Sequence, residues 1–220
     1  MMTKLYFART EALEDPGRFA RLLAGLSGAR REKAERVRGE GAKRLSLGAG
    51  LLLERALAAE GLSAGDYALT ELGKPYIPSL PGFHFSLSHS GSAVLCAVSD
   101  RPLGCDLERP RRFDPALVRR FFHPEEAEYL FSLPEQARPE AFFRLWTLKE
   151  SYMKARGLGF ALPMNEFAVS PGDEISVSPA DAVPWHFLSF REGEYLCALC
   201  AEDADDGVAL TRVDFADGEV

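Results

Sequence analysis

No stretch of this chain approaches the roughly 20 apolar residues that a membrane-spanning helix needs. The longest candidate, Leu45 to Leu53, is short and runs straight into Glu54 and Arg55. Met1 to Ala8 lacks the apolar centre of a signal peptide, so a cytoplasmic protein without a membrane partner is expected. Cysteine is scarce: four in 220 residues are too few for a disulfide framework. Cys197 and Cys200 form a C-x-x-C, but within a strand-like run from Tyr195 to Ala201. Residues three apart on a strand point to opposite faces, which predicts buried thiols rather than a shared metal. Positive charge is in deficit too, and a net charge of −7 argues against a nucleic-acid binder.

What remains is an ordinary globular composition, 46% apolar and 27% charged, enough for one large domain or two small ones. The charge is unevenly spread. Between Arg30 and Arg44 stand seven basic residues (Arg30, Arg31, Lys33, Arg36, Arg38, Lys43, Arg44) against Glu32, Glu35 and Glu40, whereas the tail from Glu202 onward is acidic. One basic segment in an acidic protein suits a small, local anion. The bland alternative is a solvated helix face with i,i+4 ion pairs.

The order of elements repeats. A strand at Lys4–Ala8 precedes helical stretches, the longest from Ala42 to Glu60 and stopping at Gly61. Strand-like segments follow at Tyr67–Leu69, His84–Leu87 and Ala93–Val98. Then come a strand at Leu103–Glu108 and helices at Pro115–Phe122, Pro124–Phe131 and Pro139–Arg156, with Gly157 as C-cap. Strands resume at Phe167–Ser170, Trp185–Phe190, Tyr195–Ala201 and Val208–Val213. The expected fold class is α+β: two similar halves, 1–102 and 103–220, in a pseudo-two-fold arrangement, each with helices on a small, mainly antiparallel sheet. A cleft between them is the natural place for a site.

Four short motifs carry chemistry. In Gly104-Cys105-Asp106-Leu107-Glu108, Asp106 and Glu108 are two apart on a strand and share a face. Two adjacent carboxylates repel unless a cation separates them, and magnesium prefers such hard oxygens together with phosphate. A solvent-facing pair beside Arg109 is the plain alternative. In Trp146-Thr147-Leu148-Lys149-Glu150-Ser151, continuing to Lys154, the residues Trp146, Glu150 and Lys154 recur along one helix face. That is either a surface ion pair or the edge of a cleft. Phe85-Ser86-Leu87-Ser88-His89-Ser90-Gly91 invites a nucleophile reading, but the G-x-S-x-G elbow is missing, and its donors suit phosphate better. Gly73-Lys74-Pro75 is not a P-loop and by itself reads as a turn.

Taken in order, these four motifs resemble the successive signatures of 4′-phosphopantetheinyl transferases, in the larger, pseudodimeric class associated with surfactin synthetase. The resemblance spans roughly residues 28 to 170, and Phe121-Phe122 followed by Glu125-Glu126 matches the family's pattern before the long helix. It implies that Asp106, Glu108 and Glu150 hold Mg²⁺ against the pyrophosphate of coenzyme A. It implies further that Lys154 contacts the phosphates, that His89 with Ser88 binds phosphate, and that Lys74 with Pro75 lines the adenine site. Arg44, four residues before Gly48, matches the family's arginine, and Arg30 and Lys33 fall where the family has basic side chains. Valine or isoleucine is more usual at Cys105 and Leu107, and alanine at Ser151; none of these is a proposed ligand.

The implied reaction is attack by a serine hydroxyl of an apo acyl or peptidyl carrier protein on the β-phosphorus of coenzyme A, releasing 3′,5′-adenosine bisphosphate. Glu150 is the expected base, directly or through water. Charge complementarity places the carrier near Arg111, Arg112, Arg119 and Arg120, with Phe113, Phe121 and Phe122 among them. Two halves in one chain make a monomer sufficient. The rival readings are another Mg²⁺-dependent phosphate enzyme and a non-catalytic coenzyme A binder, against which stand the motif order and the intact carboxylates.

Overall fold

Ala93 to Ser99 is a run of seven small or apolar residues, every one of them buried. A strand so composed fits only where both faces of its sheet are covered. The computed structural model, which describes residues 2–63, 65–172, 174–202 and 207–216, shows what covers it. Most of the acidic tail (Asp203, Asp205, Asp206, Asp217, Glu219) lies outside the described residues.

In chain order the elements are β1 (Thr3–Arg9), α1 (Pro16–Gly25), α2 (Gly28–Arg36), α3 (Glu40–Ala59), β2 (Ala68–Leu69), β3 (Pro75–Tyr76), β4 (His84–Ser90), β5 (Ala93–Ser99) and β6 (Leu103–Glu108). Then follow α4 (Pro115–Phe121), α5 (Pro124–Ser132), α6 (Arg138–Arg156), β7 (Ala168–Pro171), β8 (Ile175–Ser178), β9 (His186–Glu192), β10 (Tyr195–Ala201) and β11 (Val208–Val213). One sheet has the order β11-β1-β5-β4 and another β6-β10-β9. Their pairs are antiparallel, except that β11 runs parallel to β1, from Thr3 opposite Val208 to Ala8 opposite Val213. The last described strand thus lies in the sheet that the first one opens.

Strand alternation sorts the core into three layers. Val94, Cys96 and Val98 of β5 face α3, with Leu47, Leu51 and Leu52 among their neighbours. Ala93, Leu95 and Ala97 face the other way and meet Leu103, Cys105 and Leu107 of β6 and Tyr195, Cys197 and Leu199 of β10. The opposite face of β10 (Leu196, Ala198, Cys200) packs with α6 through Leu145, Leu148 and Tyr152. The order is therefore α3, sheet, sheet, α6, the expected α+β class with a long helix on each small sheet. Burying each leucine of these layers contributes roughly 1.5–3 kcal/mol. Cys197 and Cys200 lie in different layers, and all four cysteines are free and buried.

The short strand β8 pairs with β7 and was not expected, because Ile175–Ser178 alternates too briefly to stand out. The basic run Arg30–Arg44 is shared between α2 and α3, which are separated by Gly39, whose φ of 90° suits glycine. Its Arg36–Glu32 pair is the exposed i,i+4 contact of the bland reading.

Candidate active site

The site starts from the alternation of β6. Leu103, Cys105 and Leu107 go to the inter-sheet core, so Gly104, Asp106 and Glu108 must face α6. Gly104 brings the two backbones together: a Cβ there would lie 2.1 Å from the Ser151 carbonyl oxygen and 2.4 Å from the Ala155 nitrogen. With α6 seated this close, Asp106 and Glu108 emerge beside its residues Glu150 and Lys154.

Lys154 Nζ donates to Asp106 Oδ1 at 2.7 Å and to the Cys105 carbonyl at 3.1 Å. Desolvation disfavours its charge, but Asp106, Cys105 and Glu150 together hold the ammonium above its ordinary value. Asp106 Oδ1 also accepts from Ser88 Oγ at 2.6 Å, whereas Oδ2 is buried with no hydrogen-bond partner among the described residues. Glu108 accepts from Ser90 Oγ at 2.6 Å and pairs with Arg111 at 3.4 Å. Both Glu108 and Glu150 are held above the usual carboxylate range, first by desolvation and then by neighbouring negative charge. For Glu150 that charge comes from Asp106 and Glu108, so the three carboxylates of the sequence reading feel one another.

The serines of β4 join its sheet to that of β6 at this point. Ser86, Ser88 and Ser90 alternate with core residues, and their hydroxyls accept from the backbone N–H groups of Cys105, Leu107 and Arg109 at 3.0, 3.4 and 3.3 Å. A comb of side chains thus stands where a strand neighbour would supply carbonyls. His89 points away from the comb and is exposed, yet desolvation by its surroundings, helped by Lys154 and Lys33, holds its imidazole below the ordinary value.

Arg30, Lys33, Lys74, Pro75 and Lys154 line one cavity of about 290 Å³. Arg30 is 5% exposed, lies over the Tyr67 ring at 5.9 Å and leaves its Nε without a hydrogen bond among the described residues. Lys74 Nζ donates to the carbonyls of Leu103 and Ala155 and forms no ion pair among the described residues. Gly157, the expected C-cap of α6, has φ 69° and leaves room for the Lys74 chain, which a Cβ would meet at 3.2 Å. A larger cavity of about 850 Å³ shares Lys74, Pro75 and Phe85 but lacks Lys154. Asp106, Glu108 and Glu150 line neither cavity, and the smaller one reaches them through Lys154, which bonds to Asp106. Arg44 is not among its lining residues and pairs with Glu14 at 3.7 Å.

Burial lowers Lys74 to about 8. An anion bound in the cavity favours its charged form, so affinity for a phosphorylated ligand falls as pH rises through about 8. Calorimetric titration of coenzyme A from pH 7 to 9 is expected to show this inflection, and Lys74→Met to remove it.

Among the described residues no group of three or more His, Cys, Asp or Glu side chains stands close enough to hold a metal ion. The chemistry of the donors nevertheless fits a hard cation. The unpartnered Asp106 Oδ2 is a buried charge-bearing oxygen that a cation would satisfy, and a cation would relieve the mutual repulsion felt at Glu108 and Glu150.

Sequence reasoning gave no role to Ser86, Ser90, Lys149 or Glu126. The alternation of serine with apolar residues over Phe85–Ser90 was the signal for the comb. Lys149 carried none, since a lysine on a helix normally reaches water.

The pattern of the 4′-phosphopantetheinyl transferase superfamily matches residues 102–200, the segment from β6 through β10. A 4′-phosphopantetheinyl transferase of Bacillus subtilis is 34% identical over 98% of this chain and 95% of its own length. The 4′-phosphopantetheinyl transferase Sfp of Bacillus subtilis strain 168 is 31% identical over 96% of both chains. Among solved structures, the Thermotoga maritima holo-[acyl-carrier-protein] synthase overlaps 46% of this chain and 61% of its own, at 16% identity and a TM-score of 0.40. With relatives this similar along nearly its whole length, the chain belongs to the 4′-phosphopantetheinyl transferase family, in its Sfp-type class, and is a transferase enzyme.

Proposed function

We propose that this enzyme moves the 4′-phosphopantetheine arm of coenzyme A onto a serine hydroxyl of an apo acyl or peptidyl carrier protein and releases 3′,5′-adenosine bisphosphate. The observation that carries the reading is Lys154, which lines the cavity of Arg30, Lys33 and Lys74 while bonded to Asp106. A phosphate-binding wall and a carboxylate cluster thus meet at one side chain.

Four cationic side chains on a small cavity suit a ligand with several phosphates, and coenzyme A carries a pyrophosphate and a 3′-phosphate. Arg30 is desolvated and keeps an unpartnered Nε, so a phosphate oxygen would gain a charge-assisted hydrogen bond there. Asp106, Glu108 and Glu150 would hold Mg²⁺, which when bound neutralises pyrophosphate charge and so favours departure of the bisphosphate. Phosphoryl transfer asks the protein mainly for position and charge. Lys154 supplies a cation that does not titrate near neutrality. Glu150, raised towards neutrality, has the character of a base for the serine proton, directly or through one water. Ser88 holds Asp106 in place, and His89 offers a neutral ring beside Lys33 and Lys154.

For the carrier, Arg112, Arg119 and Arg120 are exposed, and Arg119 and Arg120 lie over the rings of Phe131 and Phe121. Phe122 belongs to no such surface: it is 3% exposed and packs on Phe142 and Trp146. Two halves in one chain leave the enzyme free to act as a monomer in the cytoplasm. Chromatographic detection of 3′,5′-adenosine bisphosphate tests the reaction. Release is expected only with apo carrier and Mg²⁺ together; carrier-independent hydrolysis of coenzyme A would contradict it.

A further inference from the structure

Lys149 has no place in the mechanism above, yet it is 0% exposed and sits next to Glu150 in the chain. Its Nζ donates to Glu126 Oε1 and Oε2 at 2.7 and 2.8 Å and to the Phe167 carbonyl at 2.6 Å. An ammonium has three donors, and all three are used. Glu126, 3% exposed, is equally committed: Oε1 also accepts from Val169 N at 2.7 Å and Oε2 from His123 N at 2.9 Å. The rings of Phe167 and Phe122 lie 4.0 and 5.9 Å from the ammonium and keep water away. One ion pair thus ties α6 to the start of α5 and to the approach into β7.

Such a pair is a poor device for stability, because the desolvation of two charges offsets most of their attraction. What it does supply is direction. Neighbouring residues on a helix project about 100° apart. Fixing Lys149 towards α5 and β7 therefore fixes where Glu150, and one turn later Lys154, point around the axis of α6. Gly104 sets how close α6 lies to β6 but leaves rotation and sliding along the contact to other groups.

We propose that the buried Lys149–Glu126 pair is a positioning element for the transferase, setting the rotation of α6 so that Glu150 and Lys154 face Asp106. The proposal rests on the reading of Glu150 and Lys154 given above. It assigns Lys149 and Glu126 no contact with substrate.

The test separates stability from turnover. In the double variant Glu126→Gln, Lys149→Met the pair is uncharged, an oxygen remains for Val169 N, and the chain length is kept. It is expected to fold, to bind coenzyme A within about threefold of wild type, and to lose roughly 10- to 100-fold in kcat, the scale of an ångström-size misplacement. A folded double variant with wild-type kcat would overturn the proposal. If the double variant does not fold, Glu126→Asp decides. It keeps both charges but draws Lys149 back by one methylene, and it is expected to lower kcat at unchanged coenzyme A affinity; unchanged kcat would again overturn the proposal. Lys149→Arg, which restores a cation to Glu126, is expected to recover more turnover than Lys149→Met. If wild type itself modifies no carrier, the functional reading fails and not the positioning role alone.

Discussion

Glu150→Gln lowers kcat by about 10³-fold, within the range that a positioned proton acceptor contributes, and leaves the fold as stable as before or more so. The two halves of this expectation have one cause. Glu150 is partly buried, makes no hydrogen bond among the described residues, and sits near Asp106 and Glu108, so its carboxyl is held above the ordinary value. Between the ordinary value and the raised one, the folded state keeps a proton that the unfolded state has released. Stability therefore falls as pH rises through that window. Glutamine has the same shape without the charge, so this pH-dependent loss disappears in the variant. Turnover goes the other way, because an amide neither accepts the serine proton nor contributes a full negative charge to a cation. Thermal unfolding at pH 5 and pH 7 beside single-turnover kinetics checks both. Wild-type turnover in the variant would remove Glu150 from the mechanism.

Gly104→Ala destabilises the protein by roughly 3 kcal/mol, the upper end of ordinary overpacking, which corresponds to about 6–12 °C in Tm for a chain of this size. The new methyl would lie 2.1 Å from the Ser151 carbonyl oxygen, 2.4 Å from the Ala155 nitrogen and 2.7 Å from Lys154 Cβ. Two of these are backbone atoms of α6, so no rotamer change relieves the overlap and the helix must lift from β6. Lifting it carries Glu150 and Lys154 away from Asp106, so activity falls further than stability alone accounts for. Gly41→Ala is the control, because its Cβ would meet nothing nearer than Arg44 at 4.0 Å. That change, in the first turn of α3, leaves Tm the same or raises it slightly. Equal Tm values for the two variants would show that the contact between β6 and α6 is not as close as described.

How far the sequence carries depends on how local each cause is. The alternation in Gly104–Glu108 foretold two carboxylates on one face, and the i,i+4 spacing foretold Glu150 and Lys154 together on α6. The runs at Ala93–Val98 and Tyr195–Ala201 were legible as strands, and the structure buries both faces of each. What was hidden depends on pairing between distant segments. Nothing in Val208–Val213 says that it lies parallel to Thr3–Ala8, because any alternating strand could. The hydroxyl comb of β4 needed β6 beside it to acquire meaning. Lys149 reads as a surface residue until Glu126, Phe167 and Val169 close around it. Arg44, matched to the family's arginine by resemblance, lies on α3 in an ion pair with Glu14 that the sequence does not announce.

The measurement that bears most directly on the central claim is the intact mass of an apo carrier protein incubated with this enzyme, coenzyme A and Mg²⁺. The account predicts a gain of one phosphopantetheine, absent when the carrier serine is replaced by alanine, when Mg²⁺ is chelated, and in Glu150→Gln. An unchanged carrier mass, across acyl and peptidyl carriers and with coenzyme A binding intact, would contradict it.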